Sequence, residues 1–410
     1  MIRNEDKLIK IGLIGKTNTG KTTFFNAITM KSAEVSTYPF TTKAPNIGIG
    51  NAITLCVCKE FNVKDNPKNS ACKNGWRIIP IEIIDLPGLI KGAWAGKGLG
   101  NEFLGVASQS DALLHFVDAS GSIDAEGVIT EPGVGDPIAD YYDIEEELIL
   151  WLLKNLRKNE EKIIRDLKSG KDLVSSITDA LKGFKINEEH VKIALIKSNL
   201  EKKDFENWNQ IDDRKFIEEL REISKPTLIV ANKIDLPTAK ENFERLRNEF
   251  PDKIIVPCSS EAELILRKAE KKGLIEYVPG DESFRILNES MLTEKQKWAL
   301  NQINLKIFGE YLRTGVQFAI NVAVFKLLRM NAVYPVYDYE KLSDKDGNVL
   351  PDVFLMPPNS TIIDLAKQIH TELAKGVLYA IDARSKLRLP VNYQLRDRDV
   401  LTIVSARAKK

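Results

Sequence analysis

Gly15-Lys16-Thr17-Asn18-Thr19-Gly20-Lys21-Thr22 stands between an apolar, β-branched run at residues 8–14 and a helical pattern over residues 21–30. A strand, a glycine-bearing turn and a helix open an α/β unit. The eight residues fit G-x-x-x-x-G-K-[ST]. Its glycines let the backbone wrap so that N–H groups converge on an anion, and the helix N-terminus adds positive partial charge. In that pattern Lys21 reaches the β- and γ-phosphates of a nucleoside triphosphate and the Thr22 hydroxyl binds Mg²⁺. Gly15, Lys16, Thr17, Asn18, Thr19, Gly20 and the adjacent Thr23 line the phosphates. The alternative, a plain glycine turn, is disfavoured by a full pattern match in the right context. The loop alone names neither the base nor the phosphate acceptor.

Three further apolar runs, residues 78–84, 112–117 and 227–231, are short and end at a polar residue. Buried parallel strands in a sheet covered on both faces have that character. The first leads into Asp85-Leu86-Pro87-Gly88. A carboxylate there can hold Mg²⁺ through water, and the Gly88 N–H can contact a γ-phosphate; Pro-Gly also makes plain turns. The third leads into Asn232-Lys233-Ile234-Asp235. Asp235 can accept from both N1–H and the 2-amino group of guanine, whereas adenine would leave a buried carboxylate unpaired. Asn232 and Lys233 belong to the same nucleotide-binding set. Cys258-Ser259-Ser260-Glu261 ends another apolar stretch, residues 253–257, and the small Ser259 and Ser260 let backbone N–H groups approach the base carbonyl O6.

Tyr38-Pro39-Phe40-Thr41-Thr42, followed by Ala44-Pro45-Asn46-Ile47-Gly48, resembles switch I of the Obg superfamily, within the translation-factor-related GTPases. Asp85-Leu86-Pro87-Gly88-Leu89-Ile90 with Gly96-Lys97-Gly98-Leu99-Gly100-Asn101-Glu102-Phe103-Leu104 resembles its switch II. The Gly-Leu-Gly-Asn-x-Phe-Leu stretch, an inserted charged helical block and the C-terminal part together resemble the YchF (Obg-like ATPase) family. The tail from about Val333 is similar to a TGS domain, a β-grasp module. The resemblance implies a GTP-hydrolysing switch that acts with the ribosome or RNA. It makes Thr42 the switch I threonine, which binds Mg²⁺ and orients the attacking water. Family members that prefer ATP carry an altered N-K-x-D segment; here it is intact, so guanine is expected and ATP is the alternative.

Many GTPases orient the water with a glutamine just after D-x-x-G. Leu89 occupies that place and can neither donate nor accept, as in Obg-like proteins, so slow intrinsic turnover is expected. In potassium-activated GTPases an asparagine at the position of Asn18 helps hold K⁺ near the phosphates; a loop asparagine bonding its own backbone is the alternative. The expected catalytic set is therefore Lys21, Thr42, Gly88 and Asn18, and the metal set Thr22, Thr42 and Asp85. Trp94, just beyond switch II, is expected to report nucleotide state by fluorescence.

Residues 140–225 carry 17 Lys+Arg and 20 Asp+Glu. Ile144, Leu148, Trp151, Leu152, Leu156, Ile163 and Leu167 form one helical stripe, and a weaker one runs through Phe216, Leu220 and Ile223. The block reads as a charged helical hairpin inserted into a G domain made of residues 1–139 and 226–330, the latter with trailing helices. Residues 331–410 alternate short strands with a helix over 361–374. The expected fold is α/β: a P-loop GTPase domain with an inserted helical hairpin, plus a C-terminal β-grasp (α+β) TGS-like domain.

The chain has 410 residues with 59 Lys+Arg and 58 Asp+Glu, a formal net charge of +1, which argues against a whole-chain polycation. Its 43% hydrophobic and 29% charged residues exclude a largely disordered chain. No run of ~18 apolar residues occurs, so no membrane association is expected. Neither a signal-peptide-length apolar stretch nor a disulfide scaffold's cysteine count is present, and a monomeric cytoplasmic protein is expected. The neutral total hides a cancellation. From Arg384 to Lys410 there are eight basic and two acidic residues, which suits phosphate backbone as well as a solvated edge strand. Cys56, Cys58 and Cys72 read as structural thiols, because no fourth ligand stands near them and a Lys/Asn-rich loop separates Cys72. Two other functions fit less well: a metabolic P-loop kinase, and an RNA-binding scaffold with a structural nucleotide site.

Overall fold

A computed structural model describes residues 8–30, 45–89, 92–95 and 100–406, the side chains of residues 100–103 excepted. The chain opens with β1 (Lys10–Gly15), α1 (Lys21–Thr29), β2 (Asn46–Leu55), β3 (Ala71–Lys73), β4 (Trp76–Asp85), α2 (Gly100–Ser108) and β5 (Ala112–Asp118). After an inserted helical block come β6 (Thr227–Asn232), α8 (Ala239–Glu249), β7 (Ile255–Pro257) and α9 (Ser260–Lys271), then β8 (Ile275–Glu276), β9 (Arg285–Ile286), α10 (Glu294–Gln302), α11 (Gly309–Tyr311) and α12 (Val316–Val322). All seven residues of β5 and all six of β6 are buried. The sheet order is β2-β4-β1-β5-β6-β7, with β3 paired to β4. β1 lies parallel to both β4 and β5, and β5, β6 and β7 continue in parallel. The chain passes to one side of β1 to make β4 and to the other to make β5. The strand order thus reverses at β1, where open α/β sheets bind ligands outside the strands' carboxyl ends.

Apolar side chains cover both faces. Ile14, Ile84 and Leu113 pack with the inserted helices, while Val117, Ile229 and Ala231 pack under α8 and α9. The insertion is helical, and it holds five α-helices where two apolar stripes suggest a hairpin: α3 (Pro137–Lys158), α4 (Glu160–Lys168), α5 (Leu173–Leu181), α6 (Glu188–Ser198) and α7 (Gln210–Ser224). α3 starts where Asp136 accepts from the Ile138 N–H at 3.1 Å with Pro137 behind it, and Arg157 and Lys158 occupy its last turn. Of the expected stripe, Ile144, Leu148, Trp151, Leu152 and Leu156 are buried on α3, while Ile163 and Leu167 fall on α4 beyond the break at Asn159, Ile163 buried and Leu167 half-buried. The short helices α5 and α6 escape the periodicity because each offers only a few buried residues.

The chain divides into two compact units. One contains β1, α1 and the chain from Glu82 to Ala319; the other contains Ile49–Ile81 and the chain from Ile320 onward. Residues 49–81 thus group with the C-terminal module. That module has a five-stranded mixed sheet. Its strands are β10 (Asn331–Pro335), β11 (Phe354–Met356), β12 (Val377–Asp382), β13 (Arg388–Leu389) and β14 (Val400–Ser405), in the order β11-β10-β14-β12-β13. β10 and β14 are parallel, and helix α13 (Ile362–Ile369) packs Ile362 and Leu365 on Val333, Met356, Ala380 and Leu401. The helix expected over 361–374 breaks at His370, whose extended backbone ends α13 and whose side chain caps α14 (Thr371–Lys375). No helix among the described residues is long and apolar enough to cross a membrane.

Candidate nucleotide-binding site

The phosphate loop folds as its glycines require. Gly20 has φ 94°, and a Cβ there would collide with the Asn232 side chain. Lys21 is buried and turned into the loop, donating to the Gly15 carbonyl at 3.0 Å and the Lys16 carbonyl at 2.6 Å. Burial lowers its pKa to about 8, with the Asp85 charge opposing. Thr19 donates to the Lys16 carbonyl at 2.9 Å. Asn18 stands at φ 62° and donates to the Gly127 carbonyl at 2.9 Å. Thr17 lies under Gly88, whose Cβ position is 2.6 Å from the Thr17 N and Cα atoms, so only glycine fits where D-x-P-G meets the loop. Thr23 lies in the first turn of α1, half-buried.

At the carboxyl ends of β1 and β4, Thr22 donates its hydroxyl to Asp85 Oδ2 at 2.8 Å, and Asn46 donates to the same oxygen at 3.2 Å. The other oxygen, Asp85 Oδ1, is buried without a hydrogen-bond partner among the described residues. Burial pushes the Asp85 carboxyl up, opposed by Lys21 and by these hydrogen bonds. A hydroxyl beside a carboxylate with one oxygen unsatisfied, in the corner that the phosphates would face, fits a hydrated Mg²⁺. Thr42, assigned to the same metal, lies outside the described residues. So does most of switch I.

On the base side, Asn232 is a buried connector. It donates to the Thr19 carbonyl at 2.8 Å, and its Oδ1 accepts from the Ser260 N–H at 3.1 Å and the Ser260 hydroxyl at 2.9 Å. Asp235 is half-buried at the mouth of this arrangement, its segment held by the Ile234 N–H on the Cys258 carbonyl at 3.1 Å. The Ser259 N–H donates to the Thr314 carbonyl at 2.8 Å, and the Ser259 hydroxyl caps α9. Both serine N–H groups are thus already donated inside the protein. Ser260 orders Asn232 and the Ser259 hydroxyl caps α9.

Several supports are invisible to motif reading. Asp118, fully buried at the end of β5, accepts from Lys233 Nζ at 2.7 Å, from the Ser120 hydroxyl at 2.6 Å and from the Ser122 hydroxyl at 2.7 Å. It thereby fixes Lys233, whose backbone sits at φ 60°. Lys16 is held by Asp140 and Asp143, each at 2.7 Å, from the first turns of α3. Burial opposes the Lys16 charge, but those carboxylates outweigh it and hold its pKa above the usual lysine value. Buried Glu147 accepts from the Gly92 N–H at 2.6 Å and the Trp94 N–H at 2.9 Å. The inserted helix α3 therefore grips both the phosphate loop and the segment after D-x-P-G. A carboxylate at the end of an apolar strand would have marked Asp118; nothing local marks the others.

Comparison with known proteins agrees with this geometry. Residues 10–131 match the 50S ribosome-binding GTPase family, residues 230–338 the G4 motif-containing domain of YGR210-like Obg-like GTPases, and residues 343–405 the TGS domain. An uncharacterized GTP-binding protein of Methanocaldococcus jannaschii is 46% identical over 97% of this chain and 99% of its own length. The ribosome-binding ATPase YchF of Bacillus subtilis is 31% identical over 64% of this chain and 69% of its own. The crystal structure of a GTP binding protein from Pyrococcus horikoshii is 37% identical, covers 97% of this chain and 100% of its own, and superposes with a TM-score of 0.78. With a phosphate loop, an intact N-K-x-D and a TGS module in one order along almost the whole length, the chain belongs to the YchF family of Obg-like GTPases.

Proposed function

We propose that this chain binds and slowly hydrolyses GTP as a switch that reports to the ribosome or to RNA. The observation that carries the reading is Asn232, which joins the phosphate loop at Thr19 to the segment that ends in Asp235. Lys21 would exchange its bonds to the Gly15 and Lys16 carbonyls for β- and γ-phosphate oxygens. Thr22, Asp85 and Thr42 would hold Mg²⁺, which when bound neutralises charge on the phosphates. Asp235 would accept from guanine N1–H and the 2-amino group; in ATP it would find neither donor. Leu89 is buried in the core and donates only its backbone N–H, to the Gly15 carbonyl at 3.2 Å. It can neither donate to nor accept from the attacking water, so turnover awaits a partner or K⁺ at Asn18.

Support for the ribosome or RNA as partner comes from the Bacillus relative, a ribosome-binding ATPase by name, and from the TGS module. There Arg388 lies over the Tyr379 ring at 4.6 Å and Arg396 over Tyr393 at 5.9 Å, arginine-aromatic surfaces suited to bases and phosphate. Gentle purification followed by chromatography of the released nucleotide tests the base. Turnover of GTP and ATP, with and without ribosomes, in KCl and in NaCl, tests the rest. Bound guanine nucleotide and ribosome-stimulated GTP turnover are expected; ATP hydrolysed in preference to GTP would overturn the base assignment.

A further inference from the structure

We propose that the second unit holds a structural zinc ion between Cys56, Cys58, Cys72 and Asp65. Sequence spacing offers three sulfurs and no fourth ligand, and the fold supplies it. β2 ends at Leu55, so Cys56 and Cys58 lie in the turn after the strand, Asp65 comes from the loop beyond, and Cys72 stands on β3. The four ligand atoms lie within 4.8 Å of one another. Cys58 and Cys72 Sγ are 3.8 Å apart, and Cys56 Sγ is 3.3 Å from Asp65 Oδ2. Zinc bonds of ~2.3 Å to sulfur and ~2.0 Å to oxygen in a tetrahedron require edges of about 3.8 Å and 3.5 Å. The cluster is therefore already near the size of the coordination sphere.

Its surroundings fit as well. The Cys58 N–H points at Cys56 Sγ at 3.5 Å, the Cys56 N–H donates to the Gly75 carbonyl at 2.8 Å, and the Val63 N–H donates to the Cys58 carbonyl at 2.9 Å. These bonds fix the turn that presents both sulfurs. Cys56 and Cys58 are buried, Asp65 and Cys72 half-buried. Arg77 is fully buried, with its guanidinium 3.4 Å from Asp65 Oδ2, held also by Ser70 at 3.1 Å and the Leu350 carbonyl at 3.0 Å. It sits beside the same carboxylate oxygen that faces Cys56 Sγ, and there it steadies the carboxylate. It also offsets charge: three thiolates, one carboxylate and Zn²⁺ sum to −2, and Arg77 brings the site to −1. Loading converts three thiols and one carboxylate into that complex and releases three protons. The site would further pin the start of residues 56–70, which form no helix or strand and whose later part is held by Asn66 N–H on the Val349 carbonyl at 2.8 Å and Asn69 on the Val353 carbonyl at 2.8 Å.

The test is metal analysis of the full chain purified under reductant, followed by cobalt titration of the metal-stripped protein. One zinc per chain is expected, together with a thiolate-to-cobalt charge-transfer band and the visible bands of tetrahedral Co²⁺. Cys58→Ser and Cys72→Ser should lose the metal, and Asp65→Asn should weaken zinc by about tenfold or more. The cobalt spectrum of the unsubstituted chain decides the matter even where a variant fails to fold. Reduced, folded protein that takes up neither metal would overturn the proposal. So would an intact mass two hydrogens light from a Cys58–Cys72 disulfide.

Discussion

Asn232 donates its side-chain amide to the Thr19 carbonyl across 2.8 Å, and this bond makes the phosphate loop and the N-K-x-D segment one part of the structure. Its carbonyl oxygen is simultaneously taken by Ser260. Asn232→Ala would leave the Ser260 donors and a loop carbonyl buried without partners, at about 1–3 kcal/mol. Guanine nucleotide affinity should fall roughly ten- to a hundredfold by that measure, read by calorimetric titration, while the far-UV spectrum stays unchanged.

Leu89 separates a packing role from a chemical one. Its side chain is 3% exposed and sits in the core with Ile84, Leu86 and Ala93. Leu89→Ala should destabilise the fold by about 2–4 kcal/mol in denaturant unfolding and leave single-turnover GTP hydrolysis within about twofold. A large loss of rate in a folded variant would give Leu89 a part in the chemistry.

Glu147 holds the Gly92 and Trp94 N–H groups from the inserted helix. If nucleotide reorders the segment after D-x-P-G, Trp94 changes environment with it. Tryptophan emission should change on adding GTP with Mg²⁺, and Trp94→Phe should remove most of that change. Glu147→Gln, which weakens the acceptor, should shrink it without abolishing nucleotide binding.

Lys225, just past α7, is buried with its ammonium on the Ser110 carbonyl at 3.0 Å. Burial, reinforced by the nearby Lys185 charge, lowers its pKa to about 7, with Asp111 opposing. An unfolded lysine titrates near ~10.4, so between these values the unfolded chain binds more protons and stability rises with pH. Unfolding free energy should climb from pH 7 to 9, and Lys225→Met should flatten that climb.

The site was legible where its chemistry is contiguous. Gly15 to Thr22, Asp85 to Gly88 and Asn232 to Asp235 each need neighbouring backbone groups at one strand end, and a short run of sequence records that need. Asp118, Asp140, Asp143 and Glu147 act on those motifs through space, and their carboxylates look like any solvated acid in a charged segment. Asp65 is similar: only the fold brings it to Cys56, Cys58 and Cys72. The fold's α/β character was legible because β5 and β6 are buried throughout. The number of inserted helices was not, because short helices such as α5 and α6 bury too few residues to show a period.

Base selection by Asp235 is the claim on which the rest depends, and exchanging its chemistry tests it directly. Xanthine carries a C2 oxygen where guanine has an amino group, so an amide at this position can donate to it where the carboxylate cannot. In competition binding with GTP and XTP, Asp235→Asn should lose GTP affinity and gain XTP affinity, reversing the preference of the unsubstituted chain. Equal GTP affinity in variant and parent, with no gain for XTP, would contradict guanine recognition by Asp235.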